Sequence, residues 1–327
     1  MKNSYLLLML TATLSAQDDI NTILKNSKPA PRGWPTAVVE VRYPSSADRT
    51  NQPALFFKPD VETAVPLLVG LHTWSGDYRQ GGSVPYVKWC MDKNWAFIHP
   101  NFRGPNRTPK ACGSEYVVKD IISAVEFAKR AANIDTKRIY LVGVSGGGYG
   151  SLLMAGRAPE IWAGVSAWAS ISDLEAWHEE CKAKGRGYFK HIEKSCGGPP
   201  GKDAKIDGEY VKRSAITYLK DAKGLPLQIC TGIHDGHKGS VPVSHTLLAF
   251  NEVAGEKDQL TREQIDHFVR NQKVPQELQT EIQDEDFGAK RPLFRRTSGN
   301  AQVTIFEGGH EIIHKAALKW LERQKKE

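Results

Sequence analysis

Along most of the chain, short runs of consecutive apolar residues alternate with longer segments that are polar or carry apolar positions at helical spacing. The runs at 66–72 (PLLVGLH), 95–99 (WAFIH), 138–144 (RIYLVGV), 163–169, 225–231 and 302–306 are rich in Val, Ile, Leu and aromatic residues. Runs of that length suit parallel strands covered on both faces. Between the second and third, at 115–133, Val118, Ile121, Ile122, Val125, Phe127 and Ala128 recur near helical spacing, and Ser114 stands where an N-cap belongs. Two shorter segments, 38–41 and 54–58, flank the polar stretch 44–53 and read as an antiparallel strand pair. The pattern predicts a doubly wound α/β architecture: a mostly parallel sheet, antiparallel at its start, with helices on both faces.

Two stretches are too long for simple crossovers. The first, 172–218, is aromatic and carries Trp177, Tyr188 and Phe189; the second, 256–297, is polar and helix-prone. Insertions of this length act as caps or surface decoration, and the first is the better cap candidate. The chain has 327 residues, which one α/β core with insertions accommodates, so a single catalytic domain over 17–327 is expected.

Residues 1–16 change the picture of location. Lys2 precedes an apolar stretch at 5–14, followed by Ser15 and Ala16, the order of a secretory signal peptide and too short to span a bilayer as a helix. A secreted or periplasmic protein without a membrane span is therefore expected. Export permits disulfides, and Cys181 with Cys196, then Cys90 with Cys112, are the candidate pairs. Cys230, inside an apolar run, reads as a small buried hydrophobe. The formal charge of +7 is spread over interspersed residues of both signs, so nucleic acid is not an expected partner. No CxxC or Cys/His cluster of zinc type is present, and no metal or organic cofactor is expected.

The chemistry concentrates at Gly143-Val144-Ser145-Gly146-Gly147, which follows an apolar run and precedes a helix-competent segment at 149–157. A strand-to-helix turn with flanking glycines presents a nucleophilic serine. A serine hydroxyl needs a histidine to take its proton and an acid to orient that histidine, and in this architecture both come later, after successive strands. His310, in FEGGH after the last run, is the expected base, with His314 as rival; Asp235, in IHDGH after 225–231, is the expected acid. Asp173 is the weaker alternative acid and otherwise reads as a helix cap. Oxyanion donors are expected from the backbone N–H of Gly146 and from Trp74 or Thr73, with Trp74 favoured; His72 reads as a brace for that loop. Arg103 is a candidate for binding a substrate carboxylate, or else bonds its local backbone. Trp74, Trp168 and Trp177 are candidates for stacking on sugar rings or aromatic acyl groups, with core packing the default for at least one.

Taken together, LHTWSGD at 71–77, PNFRGPN at 100–106, GVSGGG at 143–148, IHDGHKGSVPVSH at 233–245 and FEGGHE at 306–311 resemble the prolyl-oligopeptidase-like branch of the α/β-hydrolase superfamily over about 66–324. The resemblance implies the α/β-hydrolase fold, a Ser145–Asp235–His310 triad and an oxyanion loop at Thr73 and Trp74. Peptidases of that branch carry an N-terminal β-propeller, and only about fifty residues lie between the expected leader and the first central strand. The loop also reads His-Thr-Trp where many relatives have His-Gly-Gly, which places an indole beside the acyl group. These departures favour an esterase that releases a small acyl group, acetyl or feruloyl, from a carbohydrate or small ester. A serine peptidase or aminopeptidase is the alternative, and an inactive binding module is the reading from a different class.

Overall fold

The computed structural model describes residues 19–327; the expected signal peptide lies outside the described residues. Ten strands form one sheet in the order β1-β2-β3-β5-β4-β6-β7-β8-β10-β9. They are β1 (Lys28–Pro29), β2 (Val39–Pro44), β3 (Asn51–Phe57), β4 (Val65–Leu71), β5 (Ala96–Pro100), β6 (Ile134–Val144), β7 (Gly164–Trp168), β8 (Leu227–Gly232), β9 (Pro292–Ser298) and β10 (Ala301–Phe306). The block β5-β4-β6-β7-β8-β10 is parallel throughout. Every residue of β4, β5, β7 and β8 is buried, which is why these strands read as unbroken apolar runs. Antiparallel β2–β3 opens the sheet as the alternating segments predict.

Side-chain alternation along the strands divides the core into two layers. Leu141, Val165 and Ala167 face α2 (Glu115–Ala131), α3 (Gly146–Arg157) and α7 (Val243–Val253). Tyr140, Val142 and Trp168 face α1 (Val84–Lys93) and α9 (His314–Glu322). Helix α2 starts where the sequence indicates, with Ser114 Oγ accepting from Val117 N–H at 3.4 Å.

The insertion 172–218 carries α4 (Leu174–Ala183), α5 (Tyr188–Cys196) and α6 (Ala204–Arg213). No disulfide holds it: all five cysteines are free and buried, correcting both expected pairs. Cys90 and Cys112 lie in different core layers, so the sheet stands between them. Cys181 and Cys196 pack in the same layer as thiols, and the link between α4 and α5 is polar. His178, fully buried, lies 2.8 Å from Glu179 and 3.0 Å from Glu193. The second insertion, 256–297, contains α8 (Arg262–Asn271) and also the edge strand β9, which the sequence does not announce. Its Arg295 and Arg296 obscure the strand pattern, yet Arg295 bonds Thr304 across the pair at 3.1 Å and Asp284 at 2.7 Å.

One buried histidine makes stability pH-dependent. His99 on β5 donates from Nδ1 to the Tyr78 carbonyl at 2.8 Å and, among the described residues, has no partner for Nε2. Burial, with His72 nearby, pushes its pKa down to about 3. The unfolded ring takes up a proton below about 6.5 while the folded one stays neutral, so stability is complete above that pH and is lost as pH falls toward 3. Between pH 7 and 5 this one group is expected to remove about 2 kcal/mol. Urea unfolding of the wild type and of His99→Gln at both pH values checks it; an identical pH slope in the two proteins refutes the assignment.

Candidate active site

Strand β6 runs beside β4 and β7, and its end delivers Ser145 into the turn before α3. Ser145 has φ 60° and ψ −121°, a conformation that a residue with a Cβ adopts only under strain. The turn is held by Ser145 N–H donating to the Trp168 carbonyl at 2.8 Å and Tyr149 N–H donating to the Ser145 carbonyl at 2.8 Å. It is also tight: a Cβ on Gly143 would sit 2.3 Å from the backbone of Gly147, so a glycine is obligatory there.

The loop after β8 carries Asp235, whose side chain is fully buried. Its Oδ1 accepts from the backbone N–H groups of Gly236 (2.8 Å) and Val241 (3.1 Å). Its Oδ2 accepts from Thr231 Oγ1 (3.3 Å) and lies 2.7 Å from His310 Nδ1. His310 stands on the loop after β10, the neighbour of β8 in the sheet, and this adjacency brings together two residues 75 positions apart. The donors on Oδ1 fix the carboxylate plane, and Oδ2 in turn fixes the imidazole with its proton on Nδ1. His310 lines the cleft, and Ser240 Oγ lies 3.5 Å from its Nε2. Ser145 and His310 line one cavity of about 420 Å³, together with Trp74, Tyr188, Glu311 and Ile312. Among the described residues Ser145 Oγ makes no hydrogen bond, a looseness common in ligand-free catalytic sites.

Trp74 and Thr73 separate clearly. Thr73 N–H is taken by Gln80 Oε1 at 3.0 Å, whereas Trp74 N–H has no acceptor among the described residues. A Cβ on Gly146 would lie 2.3 Å from Trp74 N, so the backbones of these two residues are in close contact. Gly146 opens α3, where an N–H has no intrahelical partner. Two backbone donors without an acceptor among the described residues thus lie near Ser145. Gln80, which decides between the two residues, has no sequence signature. His72 braces the loop as expected, stacked at 3.9 Å on Phe102, with its ring nitrogens 2.9 Å from the carbonyls of Thr73 and Asn101.

Several expected site residues lie elsewhere. Arg103 bonds no substrate cleft and no local backbone: its buried guanidinium is enclosed by Asp48, Asp120 and Ser45 at 2.7–3.1 Å. Removing it would strand the fully buried Asp120 carboxylate, so Arg103→Met is expected to lower stability by about 3 kcal/mol or more with no selective rise in KM. Denaturation curves and steady-state kinetics check this; a KM effect at unchanged stability would restore the binding role. Trp168 contributes only its carbonyl, because its indole points into the opposite layer, where it contacts Phe287 and Phe306 and bonds Ser166. Trp177, 1% exposed, is too buried to stack on a substrate. It packs on Trp74 at 4.6 Å between ring centroids and donates from Nε1 to the Ser240 carbonyl at 2.9 Å, tying α4 to the loop of Asp235. Asp173 caps α4; His314 begins α9 and lines the cavity of Ser145, but it is His310 that pairs with Asp235.

The sequence profile of the prolyl oligopeptidase family matches residues 87–283. Dipeptidyl aminopeptidase BIII of Pseudoxanthomonas mexicana is 27% identical over 225 residues, covering 64% of this chain but only 31% of its own length. Among solved structures, the uncomplexed acylaminoacyl peptidase of Pyrococcus horikoshii superposes with a TM-score of 0.59 at 17% identity, over 94% of this chain and 44% of that one. Oligopeptidase B of Leishmania major gives 0.57 at 12% identity, over 87% and 35%. The chain thus spans less than half the length of these relatives, and the structural matches carry the fold: an α/β-hydrolase-like mixed sheet.

Proposed function

This chain belongs to the prolyl oligopeptidase family of serine hydrolases, and from that premise we propose that it is a serine-type peptidase cleaving amide bonds in short peptides. The observation that carries the mechanism is the His310–Asp235 pair, 2.7 Å apart, opening on the cavity that also contains Ser145. Ser145 Oγ attacks the carbonyl carbon as His310 Nε2 takes its proton, and Asp235 holds the imidazolium through Nδ1–H. The oxyanion is received by the N–H groups of Gly146 and Trp74. Collapse of the tetrahedral adduct breaks the C–N bond, and the leaving amine takes the proton from His310. Water, activated by the same nitrogen, then cleaves the acyl-enzyme to the acid and restores Ser145.

The preference for peptides over the acylated carbohydrates suggested by the sequence has two supports. The relatives are named as peptidases, among them the dipeptidyl aminopeptidase. The argument for a short acyl group also weakens, because the Trp74 indole is 3% exposed and turned against Trp177 and Tyr149, while the cavity of about 420 Å³ is far roomier than an acetyl group requires. Esters remain chemically easier substrates for the same acyl-enzyme route, since an alkoxide leaves more readily than an amine. Matched p-nitroanilides and p-nitrophenyl esters of the same aminoacyl and dipeptidyl groups test the reading. Ser145-dependent cleavage of both is the expected result, and ester turnover with no anilide cleavage would return the protein to the esterase reading.

A further inference from the structure

We propose that Arg107, Lys194 and His191 form a carboxylate subsite beside Trp74, which selects substrates bearing an anionic group; this rests on the hydrolase reading of the adjoining cavity. His191 lies on α5, and its Nδ1 accepts from the Trp74 indole Nε1–H at 3.3 Å. Accepting at Nδ1 places the ring proton on Nε2, which has no partner among the described residues. The ring stands 6.0 Å from that of Tyr188, and both Tyr188 and Trp74 line the cavity of Ser145. His191 thus adjoins two residues of the cavity wall from the side of the cap.

Two cations flank it. Lys194 is three residues on from His191 in α5, on the same helix face. Arg107 directly follows Asn106, whose N–H bonds the Trp74 carbonyl at 2.9 Å, so its backbone is held next to that of Trp74. Both are exposed, and among the described residues neither has a carboxylate partner. The nearby acids are already engaged: Glu193 with His178, Glu209 with Arg213 and Asp48 with Arg103. Burial, then repulsion from Arg107 and Lys194, lowers the pKa of His191, so the two charges are felt at the ring. The result is a concentration of donors without an acceptor, next to the residue that supplies an oxyanion N–H. A carboxylate fits this set: it takes the imidazole N–H and neutralises the two like charges. Inorganic anions lack the tether to the scissile bond that would make such contacts useful for selection.

The test measures binding, independently of turnover, in the full-length Ser145→Ala protein. Acetyl-dialanine as free acid is compared with its amide, and succinyl-dialanine amide with acetyl-dialanine amide, so that one arm places the carboxylate at the C-terminus and the other on the acyl side. In at least one arm the carboxylate form is expected to bind about tenfold more tightly, the scale of two partly exposed ion pairs and one hydrogen bond. That ratio should collapse toward one when Arg107→Gln and Lys194→Gln are added, and fall in the parent protein as salt rises from about 0.05 to 0.5 M. A ratio near one in both arms, a ratio untouched by charge removal and salt, or no binding of either carboxylate at about 10 mM, the weak end of the ligand-affinity scale, overturns the proposal. Should the double variant fail to fold, the salt series on the parent decides. Labelling of the wild-type Ser145 by a neutral fluorophosphonate reports separately on the hydrolase reading: labelled protein without carboxylate preference loses only the subsite.

Discussion

Ser145→Ala is expected to lower kcat about 10⁵-fold while leaving the fold intact, because the general base and the oxyanion donors alone retain only a small residual catalysis. The backbone at this position sharpens the prediction. At φ 60° and ψ −121°, Ser145 occupies a region that favours glycine, so alanine keeps the strain and glycine relieves it. Ser145→Gly should be equally inactive yet about 1 kcal/mol more stable than Ser145→Ala, even after the entropy that glycine adds to the unfolded chain. Steady-state kinetics and thermal unfolding of both variants check the two parts. Residual activity within about 100-fold of wild type would exclude Ser145 as the nucleophile, and a less stable glycine variant would exclude the strain.

Asp235→Asn carries the second-largest effect, and the structure dictates which way the amide turns. Oδ1 receives two backbone N–H groups, which only an oxygen can accept, so the asparagine oxygen takes that place. Its NH₂ then faces His310 Nδ1 at the 2.7 Å position and donates where the carboxylate accepted. The imidazole proton moves to Nε2, leaving no lone pair for the Ser145 proton. A fall in kcat of about 10⁴-fold is expected near neutral pH. The loss should shrink at high pH, where ionisation of Ser145 or of water bypasses the base. A variant within about tenfold of wild type would show that another acid orients His310. Because Asp235 is buried, unfolding curves must accompany the kinetics.

These two residues were legible in the chain because their placement follows local rules. The turn around Ser145 requires glycines in a short stretch, and the loops after β8 and β10 follow apolar runs that are strands by length and composition. The mostly parallel sheet with its antiparallel start followed from the same runs, and the Ser114 and Asp173 caps from side-chain chemistry at helix starts. What the sequence left open were choices between near-equal local alternatives. Thr73 and Trp74 are adjacent backbone donors, and only Gln80, folding back across the loop, removes one of them. Arg103 could be read as binding a ligand or its local backbone, and neither is so, because Asp48 and Asp120, 55 and 17 residues away, enclose it.

The sequence by itself therefore determined the architecture, the glycine-flanked turn around Ser145 and the order of the residues proposed to act together, since periodicity and backbone sterics operate over a few residues and are written into each segment. The tertiary structure decided which layer each side chain joined. Trp168 turned away from the cavity because strand parity set it beside Phe287 and Phe306, and Cys90 was separated from Cys112 by the sheet itself. It also decided which charges were spent: Glu193 was taken by His178 and Glu209 by Arg213. Such pairings depend on distances between segments far apart in the chain, and the burial and partner of a charge exist only once those segments have packed.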